Sequence, residues 1–165
     1  MNKTGFNIKF SRFFGRCPNA VAYLMGSESY SDIGGTVNFY QTSHGVLVVT
    51  EVFGLPRTKN GKMSEIFAFH IHSGSSCTGT SGDPFADVQK HYDTQGNPHP
   101  YHAGDMPPLF SAQGKAFSAF LTDRFTIEEI IGKTVIIHDM PDDFTSQPAG
   151  NSGKKIACGE IKTYK

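Results

Sequence analysis

The sequence predicts an all-β protein, an antiparallel sandwich or barrel. Three observations carry this reading. Short segments of alternating apolar and polar residues recur along the 165-residue chain, turn formers are abundant (18 Gly and 9 Pro), and only one stretch hints at a helical turn. Regularly spaced short strands of this kind are the pattern of sandwiches and barrels. "NAVAYLMG" (19–26) reads as the first strand. "GTVNFYQT" (35–42) and "GVLVVTEVFGL" (45–55) follow, joined by a tight hairpin at "SHG" (43–45). "EIFAFHIHS" (65–73) comes after "TKNGK", whose Asn60-Gly61 pair suits a hairpin turn. "GKAFSAFLT" (114–122), "GKTVIIHDM" (132–140) and "KKIACGEIK" (154–162) complete the set. "TIEEIIGK" (126–133) is the helical turn, with Thr126 as N-cap and Glu129 in the capping-box position. Two long polar stretches remain, 73–113 and 139–153, and long loops in a compact domain usually carry function.

Composition narrows the function. The length suits one domain, residues 18–165, preceded by an arm over 1–17. Formal net charge is zero, which predicts neither a nucleic-acid-binding nor a membrane-surface protein. No stretch is long and apolar enough to span a bilayer as a helix. The first segment has no continuous apolar run, so it is not a secretory signal. A cytoplasmic location is expected for the chain as numbered, and export would need a leader outside this numbering. Three cysteines (Cys17, Cys77 and Cys158) allow one internal disulfide and one free thiol, and no C-x-x-C motif is present for a cysteine zinc finger.

The histidines are not scattered. His70 and His72 lie two apart on a strand, so both imidazoles project from one face while Ile71 points to the other, toward the core. Alone, such a pair is equally a rigid two-nitrogen chelate or two surface histidines. His91, His99, His102 and Asp105 follow in the loop "HYDTQGNPHPYHAGD". Imidazole suits copper and zinc, and a carboxylate can complete a tetrahedral zinc site. Pro98 and Pro100 restrict the backbone on either side of His99, and Gly104 permits a tight turn into Asp105. His138 ends the apolar strand "TVIIH" and offers a fourth nitrogen to the His70/His72 pair. Six of the seven histidines thus fall in metal-site positions, and only His44, in a hairpin turn, reads as ordinary turn polarity.

In order and chemistry, "FHIH", "HYD", "NPHPYHAGD", "VIIHD" with a following "DD", and "GNSGKKIACGEI" resemble the copper–zinc superoxide dismutase family. The likeness spans roughly residues 17–162. It implies an eight-stranded antiparallel Greek-key β-barrel, an immunoglobulin-like sandwich with two long functional loops. It also implies copper and zinc as cofactors and superoxide as substrate, disproportionated to dioxygen and hydrogen peroxide by Cu(II)/Cu(I) cycling. By position, His70, His72, His91 and His138 match the copper ligands. His91, His99, His102 and Asp105 match the zinc ligands, with His91 shared and acting in proton transfer. Asp142, four residues after His138, matches a carboxylate that orients one copper-bound and one zinc-bound imidazole. Cys77 and Cys158 match the family disulfide, leaving Cys17 as the free thiol. A homodimer is one of the assemblies the resemblance allows.

The departures are specific. The family usually has an arginine three residues before the second disulfide cysteine, where this chain has Lys155, matched to the anion-attracting role. Lysine keeps the charge and loses the planar fork, so activity about tenfold lower is expected. Lys154 reads as a solvated strand edge. The loop after His138 carries Asp139, Asp142 and Asp143 with no lysine added before Gly153, so electrostatic steering should be weak. Only two residues separate His99 from His102, a trimmed zinc loop. Gln89 and Lys90 stand where small residues are usual, and Ala68 where glycine is, and neither change is expected to reach a ligand. Competing readings are an inactive relative that binds metal, favoured by Lys155, and a zinc hydrolase. The hydrolase needs a general base, commonly Glu, and no Glu lies between His70 and His102.

Overall fold

The computed structural model describes residues 15–59 and 61–165. In chain order the strands are β1 (Ala20–Gly26), β2 (Gly34–Thr42), β3 (Gly45–Phe53), β4 (Thr58–Lys59), β5 (Lys62–Met63), β6 (Ile66–Phe67), β7 (Phe69–His72), β8 (Leu109–Ala112), β9 (Lys115–Thr122), β10 (Thr134–His138) and β11 (Lys155–Thr163). One short helix, α1 (Ile127–Ile130), lies between β9 and β10. The main sheet runs β6-β8-β9-β3-β2-β1-β11-β10-β7, antiparallel throughout. Its two outer members, β6 and β7, are halves of one chain segment separated by Ala68. Counted as one strand that bends at Ala68, they close an eight-stranded barrel, as expected from the resemblance. The join of β3 to β6/β7 connects strands that are not sheet neighbours, as a Greek key requires.

Alternation places the core. Ala20, Ala22 and Leu24 of β1 point in, while Tyr23 and Met25 point out. Val37 and Phe39, Val46 and Val48, Phe67, Phe69 and Ile71, and Val135 and Ile137 extend the same inner cluster around the barrel. Ser43 and His44 form the two-residue turn that lets Thr42 pair with Gly45, as the sequence predicts. The capping box at α1 is present: the Glu129 N–H donates to Thr126 Oγ1 at 3.3 Å, and the Thr126 N–H donates to Glu129 Oε2 at 2.8 Å. Ile127 and Ile130 then plug the core beside Phe125.

Three features differ from the strand pattern read in the sequence. The 65–73 segment is broken at Ala68, whose N–H bonds Met140 O and whose carbonyl accepts from the His138 N–H. The four-residue β8 was not foreseen, because "PPLFSA" is too short to show alternation. The two-residue strands β4 and β5 were not read as strands; their register fits the hairpin turn read at 60–61, although Asn60 itself lies outside the described residues. Of the 1–17 arm, residues 1–14 likewise lie outside them.

A second, smaller apolar cluster sits outside the barrel wall. Phe85, Val88, Ile136 and Cys158 pack there with Cys77. The Cys77–Cys158 disulfide, expected from the resemblance, ties the loop after β7 to β11 across a separation of 81 residues. Cys17 is an exposed free thiol.

Candidate metal centre

The centre is built on the outer face of β7. Ile71 is fully buried in the barrel core, and His70 and His72 emerge on the opposite side, as a two-residue period dictates. They are not surface histidines: the two long loops fold over them, and both are buried. The free edge of β7 receives the loop directly. The Tyr92 N–H donates to Ile71 O at 2.8 Å, and the Ile71 N–H donates to Gly104 O at 2.9 Å. Docking an otherwise open strand edge fixes both ends of the 91–105 segment. Gly104 serves close approach here, since a Cβ would collide with the Ile71 carbonyl; it does not adopt the positive-φ turn conformation. The tight turn into Asp105 read in the sequence is present, closed by the Asp105 N–H donating to His102 O at 3.2 Å.

His138 reaches the same face by a different device. The β10/β11 register shifts between Ile137 and His138, so Ile137 faces Ala157 while His138 faces Lys155. A bulge of this kind re-aims the side chains beside it. The result is two overlapping groups, His70/His72/His91/His138 and His91/His99/His102/Asp105, whose donor atoms lie within 4.8 Å of one another in each group. His91 belongs to both.

Five of the six imidazoles, all but His102, have one nitrogen at a protein acceptor, that of His138 being the Gly153 carbonyl at 3.5 Å, and the other left over; at His102 the nitrogen left over is Nδ1. His70 Nε2 lies 2.7 Å from Asp142 Oδ2, His72 Nδ1 donates to Gln89 O at 2.8 Å, and His91 Nδ1 lies 2.7 Å from Asp105 Oδ1. His99 Nε2 lies 2.9 Å from Asp142 Oδ1. The remaining atoms, His70 Nδ1, His72 Nε2, His91 Nε2, His138 Nε2, His99 Nδ1 and His102 Nδ1, are buried with no hydrogen-bond partner. His99 Nδ1 and His102 Nδ1 each lie 3.0 Å from Asp105 Oδ2, but not aligned for a hydrogen bond. An unsatisfied buried polar atom costs about 1–3 kcal/mol, so six in one place are maintained only where something fills the gap. Metal–nitrogen bonds of about 2.0–2.1 Å put donors at roughly these separations, so the residues fit two ions.

Electrostatics agree. Burial lowers the His70 imidazole to about 4 and the His72 imidazole to about 3, and it holds His138 well below the usual histidine range. These rings are therefore neutral at pH 7, with lone pairs available to a metal. Burial alone would raise Asp105, but the His91 hydrogen bond and the charges of His91, His99 and His102 outweigh it and bring the carboxyl down to about 2. At Asp142 burial is likewise overridden, by hydrogen bonds from His70, the Phe144 N–H and His99. Gly150, at φ +64°, permits the Asp142–His99 contact, because a Cβ there would overlap both side chains.

A pH dependence follows for metal-free protein. The unfolded chain binds protons on His70, His72 and His138 near pH 6.5, whereas the folded chain refuses them until about pH 4 at His70 and about pH 3 at His72, and holds His138 well below its ordinary value. Stability should be full above pH 6.5 and fall steadily as pH drops toward 4. Urea melts of chelator-treated protein at pH 7.5 and 4.5 should show a lower midpoint at 4.5; an equal or higher midpoint would remove the burial argument.

The structure brings together every residue assigned by sequence. Lys155 joins them on the wall of a cleft of about 990 Å³ that is also lined by His72, His91 and His138. The expectation that the changes at Gln89 and Ala68 touch no ligand is corrected, because main-chain atoms do the work. The Gln89 carbonyl holds His72 and the Ala68 carbonyl holds the His138 N–H. Three further participants were invisible in the sequence. Gln147 clamps the His99 backbone with two bonds, Nε2 to His99 O at 2.6 Å and the His99 N–H to Oε1 at 3.0 Å. Arg124 Nη1 donates to the carbonyls of Pro100, His102 and Asp105 at 3.2, 3.4 and 3.2 Å. Asp83 meets Lys155. All three act across long sequence separations and carry no local motif.

A model of the copper/zinc superoxide dismutase family matches residues 33–161. The chain belongs to that family. Among its members, a copper–zinc superoxide dismutase of Aquifex aeolicus is 31% identical, covering 96% of this chain and 95% of the relative. That of Legionella pneumophila is 35% identical over 78% of this chain and 77% of its own. The Photobacterium leiognathi enzyme is 32% identical over 78% of each.

Proposed function

We propose that this chain is a copper–zinc superoxide dismutase with copper held by His70, His72, His91 and His138 and zinc by His91, His99, His102 and Asp105. The observation that carries the reading is the set of six buried, unpartnered imidazole nitrogens in two groups joined by His91. The net reaction converts two superoxide anions and two protons into one dioxygen and one hydrogen peroxide. When bound, copper supplies the one-electron couple and zinc a fixed divalent charge that is redox-inert.

The chain's own residues do the rest. His91 presents Nε2 to the copper group and Nδ1 to the zinc group, so its Nε2 can accept a proton when electron density rises beside it and surrender it to reduced substrate. Asp142 holds His70 and His99 in the tautomers that leave both Nδ1 atoms free. Lys155 supplies positive charge on the cleft wall that draws in the anion. The test is dismutation by protein reconstituted with copper and zinc beside a zinc-only control. Copper-dependent turnover is expected; tight binding of both metals without turnover would instead make this a metal-binding relative, as the loss of the arginine fork would favour.

Lys155→Arg should raise the second-order rate constant by up to about tenfold, because a guanidinium can meet Asp83 with one edge and offer another to the anion. An unchanged or lower constant would mean that position 155 does not act on the substrate.

A further inference from the structure

We infer that Asp83 is a built-in counter-anion that tethers Lys155 and so limits entry of small anions to the copper side of the cleft. The inference rests on the dismutase reading for its substrate and on geometry for its mechanism. Lys155 Nζ lies 2.5 Å from Asp83 Oδ2, with the lysine side chain 18% and the aspartate side chain 43% exposed. Both line the same cleft as His72 and His138. The pairing is not a chance meeting of two mobile side chains. Lys155 sits opposite His138 across the bulge and three residues from Cys158, while the disulfide anchors the loop that carries Asp83. Asp83 is fixed in a tight turn. Its carbonyl accepts from the Thr80 and Ala86 N–H groups, its N–H donates to Thr80 Oγ1, and its Oδ1 accepts from the Phe85 N–H at 3.2 Å.

The consequence is electrostatic. A free ammonium at the mouth of a low-dielectric cleft concentrates anions, and a carboxylate in contact with it cancels most of that field. The ammonium is also held toward the loop and away from an incoming anion. The cleft wall carries Lys90, Lys154 and Lys155 against the carboxylates Asp83 and Asp93, so Asp83 halves the net positive charge that the wall would otherwise present. Part of any weakness in this enzyme therefore comes from Asp83, and the missing arginine is only the other part.

Asp83→Asn tests this cleanly, because the amide oxygen still accepts from the Phe85 N–H while the charge is gone. Two quantities are read on copper- and zinc-loaded protein: azide affinity from the copper visible band, and the dismutation rate against ionic strength. Azide should bind about three- to tenfold tighter, and the rate should rise similarly at low salt and fall more steeply as salt is added. Asp83→Ser, which keeps a hydroxyl acceptor, should agree, guarding against a loop defect in one variant. Unchanged or weaker azide binding with both metals retained would overturn the role of Asp83. Tighter azide binding without dismutation in either protein would support Asp83 and overturn the dismutase reading. Failure of azide to perturb copper in any form would remove the anion channel and this inference with it.

Discussion

His138→Ala removes copper-dependent dismutation while zinc stays bound. His138 belongs only to the group that excludes His99, His102 and Asp105, so the zinc donors are intact in the variant. Its Nε2 is one of the four atoms left over on the copper side, and alanine supplies no replacement. The backbone should hold, because the contacts that place residue 138 are main-chain: its N–H to the Ala68 carbonyl and the bulged pairing with Lys155. The space opened faces the cleft, so water fills it in place of a dry cavity. The rate should fall by more than about a hundredfold, beyond what loss of a mere orienting partner costs. Zinc content after dialysis, a melting curve and turnover on the same sample separate the effects. Normal turnover would overturn the copper assignment; loss of zinc alongside activity would mean that the two groups are not separable as drawn.

The contrast between what was legible and what was not follows from how far each constraint reaches. The two-residue period put Ile71 in the core and His70 and His72 on one outer face, and a local rule was enough for that. Thr126 and Glu129 were readable for the same reason, since a capping box spans one turn. The break at Ala68 was not readable, because it arises where one segment leaves β8 for β10, and both partners lie far along the chain. The bulge at His138 is similar: Ile156 is displaced by the needs of the barrel wall, and nothing in "KKIACG" announces it. Burial of His70 and His72 required the loops to be seen in place. The ligand identities came from the likeness to a family. The supporting contacts from Gln147, Arg124 and Asp83 came only from geometry, since a clamp on a backbone carbonyl leaves no trace in residue type.

Cys77→Ser should destabilise the protein by about 4.5 kcal/mol, the chain-entropy value for a closed loop of this length. The bridge spans 81 residues, so the unfolded chain gains much of its freedom when it is lost. For a domain of this size that corresponds to a melting temperature lower by roughly 10–20 °C. Cys77 is the better site to change because Cys158 is buried in β11, where a polar hydroxyl would add its own cost. The functional loss should be uneven. The tethered loop runs from Ser73 to Lys90 and ends at the Gln89 carbonyl that fixes His72, so the copper side loses its orienting contact first. The zinc side is held independently, by the β7 edge, by Gln147 and by the Asp142–His99 bond. Metal competition on the variant should therefore show a larger drop in copper affinity than in zinc affinity. Equal losses would mean that the disulfide acts only through global stability. A loss confined to zinc would mean that the loop after β7 orders the other half of the centre.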